Sequence, residues 1–217
     1  MVKANLEQVR ARIAAAARRA GRDPADVRLI AVTKGVPVEQ IQEVLAGGVQ
    51  EIGENRVQEA REKQPAIGRE VRWHLIGHLQ RNKAKQALEF FDLIHSVDDL
   101  ELAEAIQKAA DSSGRSVEVL IEVNAARIPT RFGVAPEETP ALVEKIRGLN
   151  RLRVLGLMAM APYVEDQEQT RPVFRQVREL AGRLGLKELS MGMSNDFEVA
   201  VEEGATMVRI GSAIFKD

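Results

Sequence analysis

The chain has 217 residues, no cysteine, and 31 Lys+Arg against 32 Asp+Glu. The near-balance of charge gives no electrostatic footprint for nucleic acid and no polybasic patch for a membrane. Absence of cysteine excludes disulfides, thiolate metal sites and a cysteine nucleophile. The length allows one sizeable core and lies close to the lower size of a (β/α)8 barrel, roughly 200 residues, so one unit over residues 1–217 is expected.

Met1 to Arg22 is charged and alanine-rich, without the apolar core of a signal peptide. Its Leu6, Val9, Ile13 and Ala16 spacing predicts an amphipathic helix. No apolar run approaches the ~18 residues needed to cross a bilayer, so a soluble, cytoplasmic protein is expected. From Val27 onward strand-like and helix-like segments alternate. Strands are predicted at Val27–Thr33, Val49–Gly53, Trp73–Gly77, Leu93–Val97, Val117–Asn124, Val154–Met160, Leu189–Met193 and Met207–Ile214. Helices are predicted between them at Val38–Ala46, Glu54–Lys63, Leu79–Phe90, Asp99–Ala110 (capped by Asp98), Pro136–Arg147, Gln167–Arg183 and Ser194–Glu203.

Repeated strand–helix periods in so short a chain predict an α/β fold, a closed (β/α)8 TIM-type barrel, with a doubly wound open sheet as the alternative. No helix of useful length is expected after the last strand, and the N-terminal helix is expected to fill that gap in the outer ring. The least regular stretch, Ala125 to Gly133, follows the fifth strand and reads as a mobile loop at the barrel mouth.

Lys34 closes the first strand and is followed by Gly35. In a barrel, the carboxyl ends of the strands form the mouth where chemistry sits. An amine desolvated there loses proton affinity and can condense with a carbonyl to form a Schiff base. The plain alternative is a surface lysine. Near the C-terminus, Ser194, Asn195 and Asp196 follow the seventh strand, and Gly211 and Ser212 close the eighth. The loops after strands seven and eight are the usual phosphate site of this fold, where free amides face an anion; otherwise Ser194 is only a cap and Gly211 only relieves crowding. Arg209, two positions before Gly211, is expected to face the interior. A buried guanidinium needs an anionic or acceptor partner: a planar ligand with an acceptor nitrogen, or an internal carboxylate such as Glu51 or Glu122. Amine, phosphate cradle and buried arginine together fit pyridoxal 5′-phosphate (PLP). A zinc site is not expected, because His74 and His78 have only His95 as a third partner. Gly-rich dinucleotide and Walker-type phosphate loops are absent from the sequence.

Several segments then converge on one family. Ala31-Val32-Thr33-Lys34, Ile52-Gly53-Glu54-Asn55, Trp73 through Gln80, Gly156-Leu157-Met158, Ser190-Met191-Gly192-Met193-Ser194 and Val208 through Phe215 resemble the pyridoxal phosphate homeostasis proteins, relatives of the N-terminal barrel of alanine racemase. The resemblance covers nearly the whole chain and implies a fold-type III PLP barrel. It implies Lys34 as the Schiff-base lysine, phosphate contacts from Ser194, Gly211 and Ser212, and Arg209 beside the pyridine nitrogen. Asn55 would lie near the ring, with His74 and Met158 lining the pocket. On residues alone, Asn55 equally reads as an early helix position, Met158 as core and His74 as a hydrogen-bonded core histidine. Gly35 stands where the family commonly has threonine, and Arg131-Phe132-Gly133 where Lys-Ser-Gly is frequent, so a second amine is not available at position 131.

The resemblance implies a carrier in vitamin B6 balance with PLP as its ligand; PLP-requiring apoenzymes are expected as partners, and a monomer is the default state because the racemase-type dimer draws much of its interface from the second domain. A guanidinium cannot accept the proton that makes the pyridine ring a strong electron sink. The two rival readings are an amino-acid racemase using Lys34 with Tyr163 or His74, and a class I Schiff-base aldolase. The racemase relatives take their second base, a tyrosine, from a separate β-rich domain.

Overall fold

The computed structural model describes residues 1–216. Eight parallel strands close in sequential order into a barrel, the first strand pairing with both the second and the last. They are β1 (Arg28–Val32), β2 (Glu51–Glu54), β3 (Arg72–Leu75), β4 (Leu93–Val97), β5 (Val117–Val123), β6 (Leu152–Ala159), β7 (Glu188–Met193) and β8 (Met207–Ile210). Around them run α1 (Val2–Arg19), α2 (Val38–Ala46), α3 (Val57–Ile67), α4 (Ala84–Phe90), α5 (Leu100–Ser113), α6 (Thr139–Arg147), α7 (Arg171–Arg183), α8 (Phe197–Glu202) and the short α9 (Ser212–Phe215). The expected barrel is therefore present. No helix among the described residues is long and apolar enough to cross a membrane.

The apolar faces form two layers. Most of the core lies between barrel and helices, where Trp73, Phe91, Phe174 and Phe197 are fully buried. Inside the barrel a small cluster of Ile30, Leu93, Leu120, Met158 and Met207 fills the space that alternating inward side chains share.

The helix α1 occupies the gap left after β8, as expected. Its Leu6, Val9 and Ile13 are buried, Asn5 donates to the carbonyl of Ile214, and Arg12 and Arg19 pair with Glu198 and Glu202 of α8. Two details differ from the sequence reading. The residue capping α5 is Asp99, which accepts from the amide of Leu102 at 2.6 Å, while Asp98 turns away to accept from Gly133 at 3.2 Å. The run Ala213-Ile214-Phe215 does not extend β8: β1 pairs with β8 only as far as Ile210, and the chain beyond curls into α9, burying Ile214.

Candidate functional site

The lysine at the mouth is set by a braced turn. Val36 donates to the carbonyl of Thr33 across Lys34 and Gly35, and Gly35 has φ +67°, a conformation that glycine adopts without steric cost. Lys63 of α3 holds the peptide just before Lys34, donating to Thr33 O and Glu54 Oε1 at 2.7 Å each. The Thr33 hydroxyl donates to the same Glu54 oxygen at 2.6 Å. Glu54 is wholly buried; burial raises its pKa against the pull of Lys63 and Thr33. Lys34 itself is exposed. The desolvation anticipated at a barrel mouth is not supplied by the protein alone.

The ends of β7 and β8 meet as their spacing predicts. Ser194 Oγ accepts from the amides of Gly211 at 3.3 Å and Ala213 at 3.2 Å, so the seventh and eighth turns share one knot of donors. Ser212 is exposed at the start of α9. Gly211 is adjacent to β1: a Cβ there would stand 3.3 Å from Val32 Cβ, filling space two residues below Lys34. The helix after β7 begins at Asp196 rather than Ser194, and Asp196 reaches back to accept from Met193 at 2.7 Å. Asn55 is half-buried at the end of β2, and its backbone touches Gly77, where a Cβ would meet Asn55 O at 2.4 Å.

Arg209 faces the interior and is 4% exposed. Its Nη1 donates to Ser190 O at 2.7 Å and Ser190 Oγ at 2.6 Å, and its Nη2 to Ala159 O at 3.0 Å. Neither Glu51 nor Glu122 pairs with it; Glu51 is engaged by Arg28 and His74. Nε–H and the second Nη2–H remain unused among the described residues. Burial lowers its pKa to about 10, against the attraction of Glu122 and Asp196, which leaves it charged at neutral pH. His74 and Met158 are both fully buried, Met158 within the inner apolar cluster and His74 in a polar chain with His95.

The loop after β5 is pinned across the mouth. Arg131 donates to Ala161 O at 2.8 Å and Met160 O at 3.2 Å. Phe132 stacks on His78 with ring centroids 3.7 Å apart and planes 8° from parallel. Arg131 thus serves backbone carbonyls after β6. Tyr163 is 83% exposed on the loop that follows, and no second base is held over Lys34 by it.

Residues 4–217 match the family model described as the N-terminal domain of alanine racemase. A pyridoxal phosphate homeostasis protein of Aquifex aeolicus is 46% identical over 217 residues, covering 97% of this chain and 95% of the relative. The chain belongs to the pyridoxal phosphate homeostasis protein family. Among solved structures, PipY of Synechococcus elongatus with PLP bound superposes with a TM-score of 0.87 at 38% identity, covering 99% of this chain and 100% of that one. Alanine racemase of Clostridium difficile shares the fold, with a TM-score of 0.73 at 17% identity, and this chain covers 52% of it.

The donors at the mouth suit a phosphorylated planar aldehyde. An amine ends β1, a knot of amides and hydroxyls joins the β7 and β8 turns, and a buried guanidinium keeps donors free for an acceptor nitrogen. The residues that sequence reasoning passed over are the supports: Lys63 and Glu54 behind Lys34, with Glu59 accepting from the Gly35 amide at 3.0 Å, and His95 and Ser190 behind Arg209. Only the inward parity of His95 and Ser190 on their strands could have revealed the latter pair.

Proposed function

We propose that this protein binds pyridoxal 5′-phosphate and works in intracellular vitamin B6 homeostasis, holding the cofactor as a Schiff base on Lys34. The observation that carries the reading is Arg209: a buried, charged guanidinium with unused donors and no paired carboxylate, inside the same barrel whose mouth carries Lys34. Ser194, Gly211 and Ser212 would hold the phosphate, and Asn55 would flank the ring. The family membership and the PLP-bound relative support the same assignment.

Bound PLP supplies an electrophilic carbonyl carbon and an aromatic ring that withdraws electrons best when its nitrogen is protonated. Arg209 offers that nitrogen only donors and holds its own proton at neutral pH, so it works against ring protonation. Proton transfer at a substrate carbon also needs an acid or base placed on each face. Tyr163 points into solvent, and His74 is buried with its two nitrogens turned to His95 and Glu51. These features favour a carrier without robust turnover over a racemase. The exposed mouth suits loading and release to PLP-requiring apoenzymes by a cytoplasmic monomer.

Purified protein mixed with PLP is expected to turn yellow and to retain the colour through desalting, whereas Lys34→Ala is expected to lose it. An unchanged spectrum in the variant overturns the Lys34 assignment. A colourless parent that instead retains a sugar phosphate would favour the aldolase reading.

A further inference from the structure

A chain of polar side chains crosses the barrel interior beneath the mouth, drawn from strands that are far apart in sequence. Arg209 Nη1 meets Ser190 Oγ at 2.6 Å. Ser190 Oγ meets His95 Nδ1 at 2.9 Å, and His95 Nε2 meets His74 Nδ1 at 2.9 Å. His74 Nε2 stands 2.9 Å from Glu51 Oε2, close enough for charge attraction but outside hydrogen-bond geometry, and neither atom has a hydrogen-bond partner among the described residues. Glu51 begins β2 at the opposite end of the barrel, beside Arg28 at 3.6 Å. Arg209, Ser190, His95 and His74 are all buried.

The donor inventory fixes the direction of this chain. Burial holds both histidines below the ordinary imidazole pKa, His95 well below, so both are neutral and each has one N–H and one bare nitrogen. Burial works against ionisation of Glu51, but His74 together with Arg28 and Arg72 outweighs it and keeps its pKa low. An ionised Glu51 carries only acceptors, and its charge 2.9 Å from Nε2 favours the His74 proton there, leaving Nδ1 bare. His95 must then donate from Nε2, leaving its own Nδ1 to accept from the Ser190 hydroxyl. Ser190 Oγ is left with lone pairs for Arg209. Every donor points from Arg209 toward Glu51.

Resting on the PLP reading above, we propose that Glu51, His74, His95 and Ser190 are positioning residues for Arg209. The carboxylate at the opposite end of the barrel sets two tautomers and one hydroxyl rotor, and these hold the guanidinium with its unused donors turned to the ring nitrogen. No member of the chain other than Arg209 touches the ligand.

Ser190→Ala is the clean test, because Arg209 keeps both backbone acceptors, Ser190 O and Ala159 O, and loses only the relay. One hydrogen bond of ordinary strength corresponds to about three- to tenfold in PLP dissociation constant. Ser190→Ala and Glu51→Gln are each expected to weaken PLP retention by that factor and to shift the absorbance maximum of the bound chromophore. Imidazole 15N spectra of the ligand-free protein give the second readout. Nε2–H tautomers are expected for His74 and His95 in the parent; because their facing nitrogens are 2.9 Å apart, any tautomer change in Glu51→Gln is expected in both rings together. Both variants folded, with unchanged PLP affinity and absorbance, would overturn the positioning role. Parent tautomers protonated on Nδ1 would overturn the direction of the chain. If the parent fails to bind PLP at all, the functional reading fails, and the tautomer measurement still decides whether the relay exists.

Discussion

Gly156→Ala is expected to destabilise the barrel strongly, although alanine is ordinarily the better residue in a strand by about 0.5–1 kcal/mol. Gly156 lies in β6 where Leu155 is looped out: Val119 pairs with Val154 and Leu120 with Gly156, so one residue of β6 has no partner on β5. The bulge presses Gly156 against β7, and a Cβ there would stand 1.8 Å from the carbonyl oxygen of Glu188 and 2.5 Å from its carbonyl carbon. Both are backbone atoms of the paired strand, so no side-chain rotation relieves the clash. Glu188 cannot retreat freely, because its carboxylate is held by Arg28 and by the Thr206 hydroxyl at 2.6 Å each. A loss above about 4 kcal/mol is expected, which is a fall of about 8–16 °C in melting temperature for a chain of this size. Gly182→Ala in α7, where nothing lies within 4 Å, serves as the control and is expected to be neutral or stabilising. Thermal unfolding of the two variants checks this; equal melting temperatures would contradict the bulge geometry.

Glu122→Gln is expected to stabilise the protein at alkaline pH and to do little in acid. The carboxyl is 4% exposed on β5. Burial, with Asp98 adding to it, raises its pKa to about 7, while Arg209 and Arg131 pull the other way. Between the ordinary carboxyl value near 4.5 and about 7 the folded state keeps a proton that the unfolded chain has released. The folded state thus binds more protons than the unfolded one in that window, and stability falls as pH rises through it. Glutamine removes that fall. The melting temperatures of parent and variant are expected to coincide near pH 4.5 and to separate by pH 8, with the variant ahead by up to about 3 kcal/mol. A constant difference across the range, or a variant that is weaker at high pH, would contradict this placement of Glu122.

The barrel was legible because each β-branched run, such as Leu29 to Val32 or Val117 to Val123, is short, apolar and followed by helix-period residues. Its outer helix α1 was legible for the same reason. Some readings differed locally. Ala213-Ile214-Phe215 has a strand-like composition, but β8 pairs with β1 only to Ile210, so the segment satisfies its backbone as a helical turn. Asp98 and Asp99 are chemically equivalent as caps, and only the loop at Gly133 decides which one turns to the helix. Met158 and His74 read as pocket residues by resemblance; inward parity buries both inside the barrel, one among apolar side chains and one in the polar chain. Lys34, Ser194, Arg209 and Gly211 stood out singly in the sequence. The relay did not, since its members are scattered from Glu51 to Arg209 and only ring closure brings them together.

The amine of Lys34 is the proposed anchor for the cofactor. Borohydride reduction of the PLP-loaded protein, followed by proteolysis and mass spectrometry of the peptides, tests it most directly. A reduced phosphopyridoxyl group is expected on the peptide containing Lys34 and on no other. The same modification confined to a different lysine, or no covalent adduct in protein that retains PLP, would contradict it.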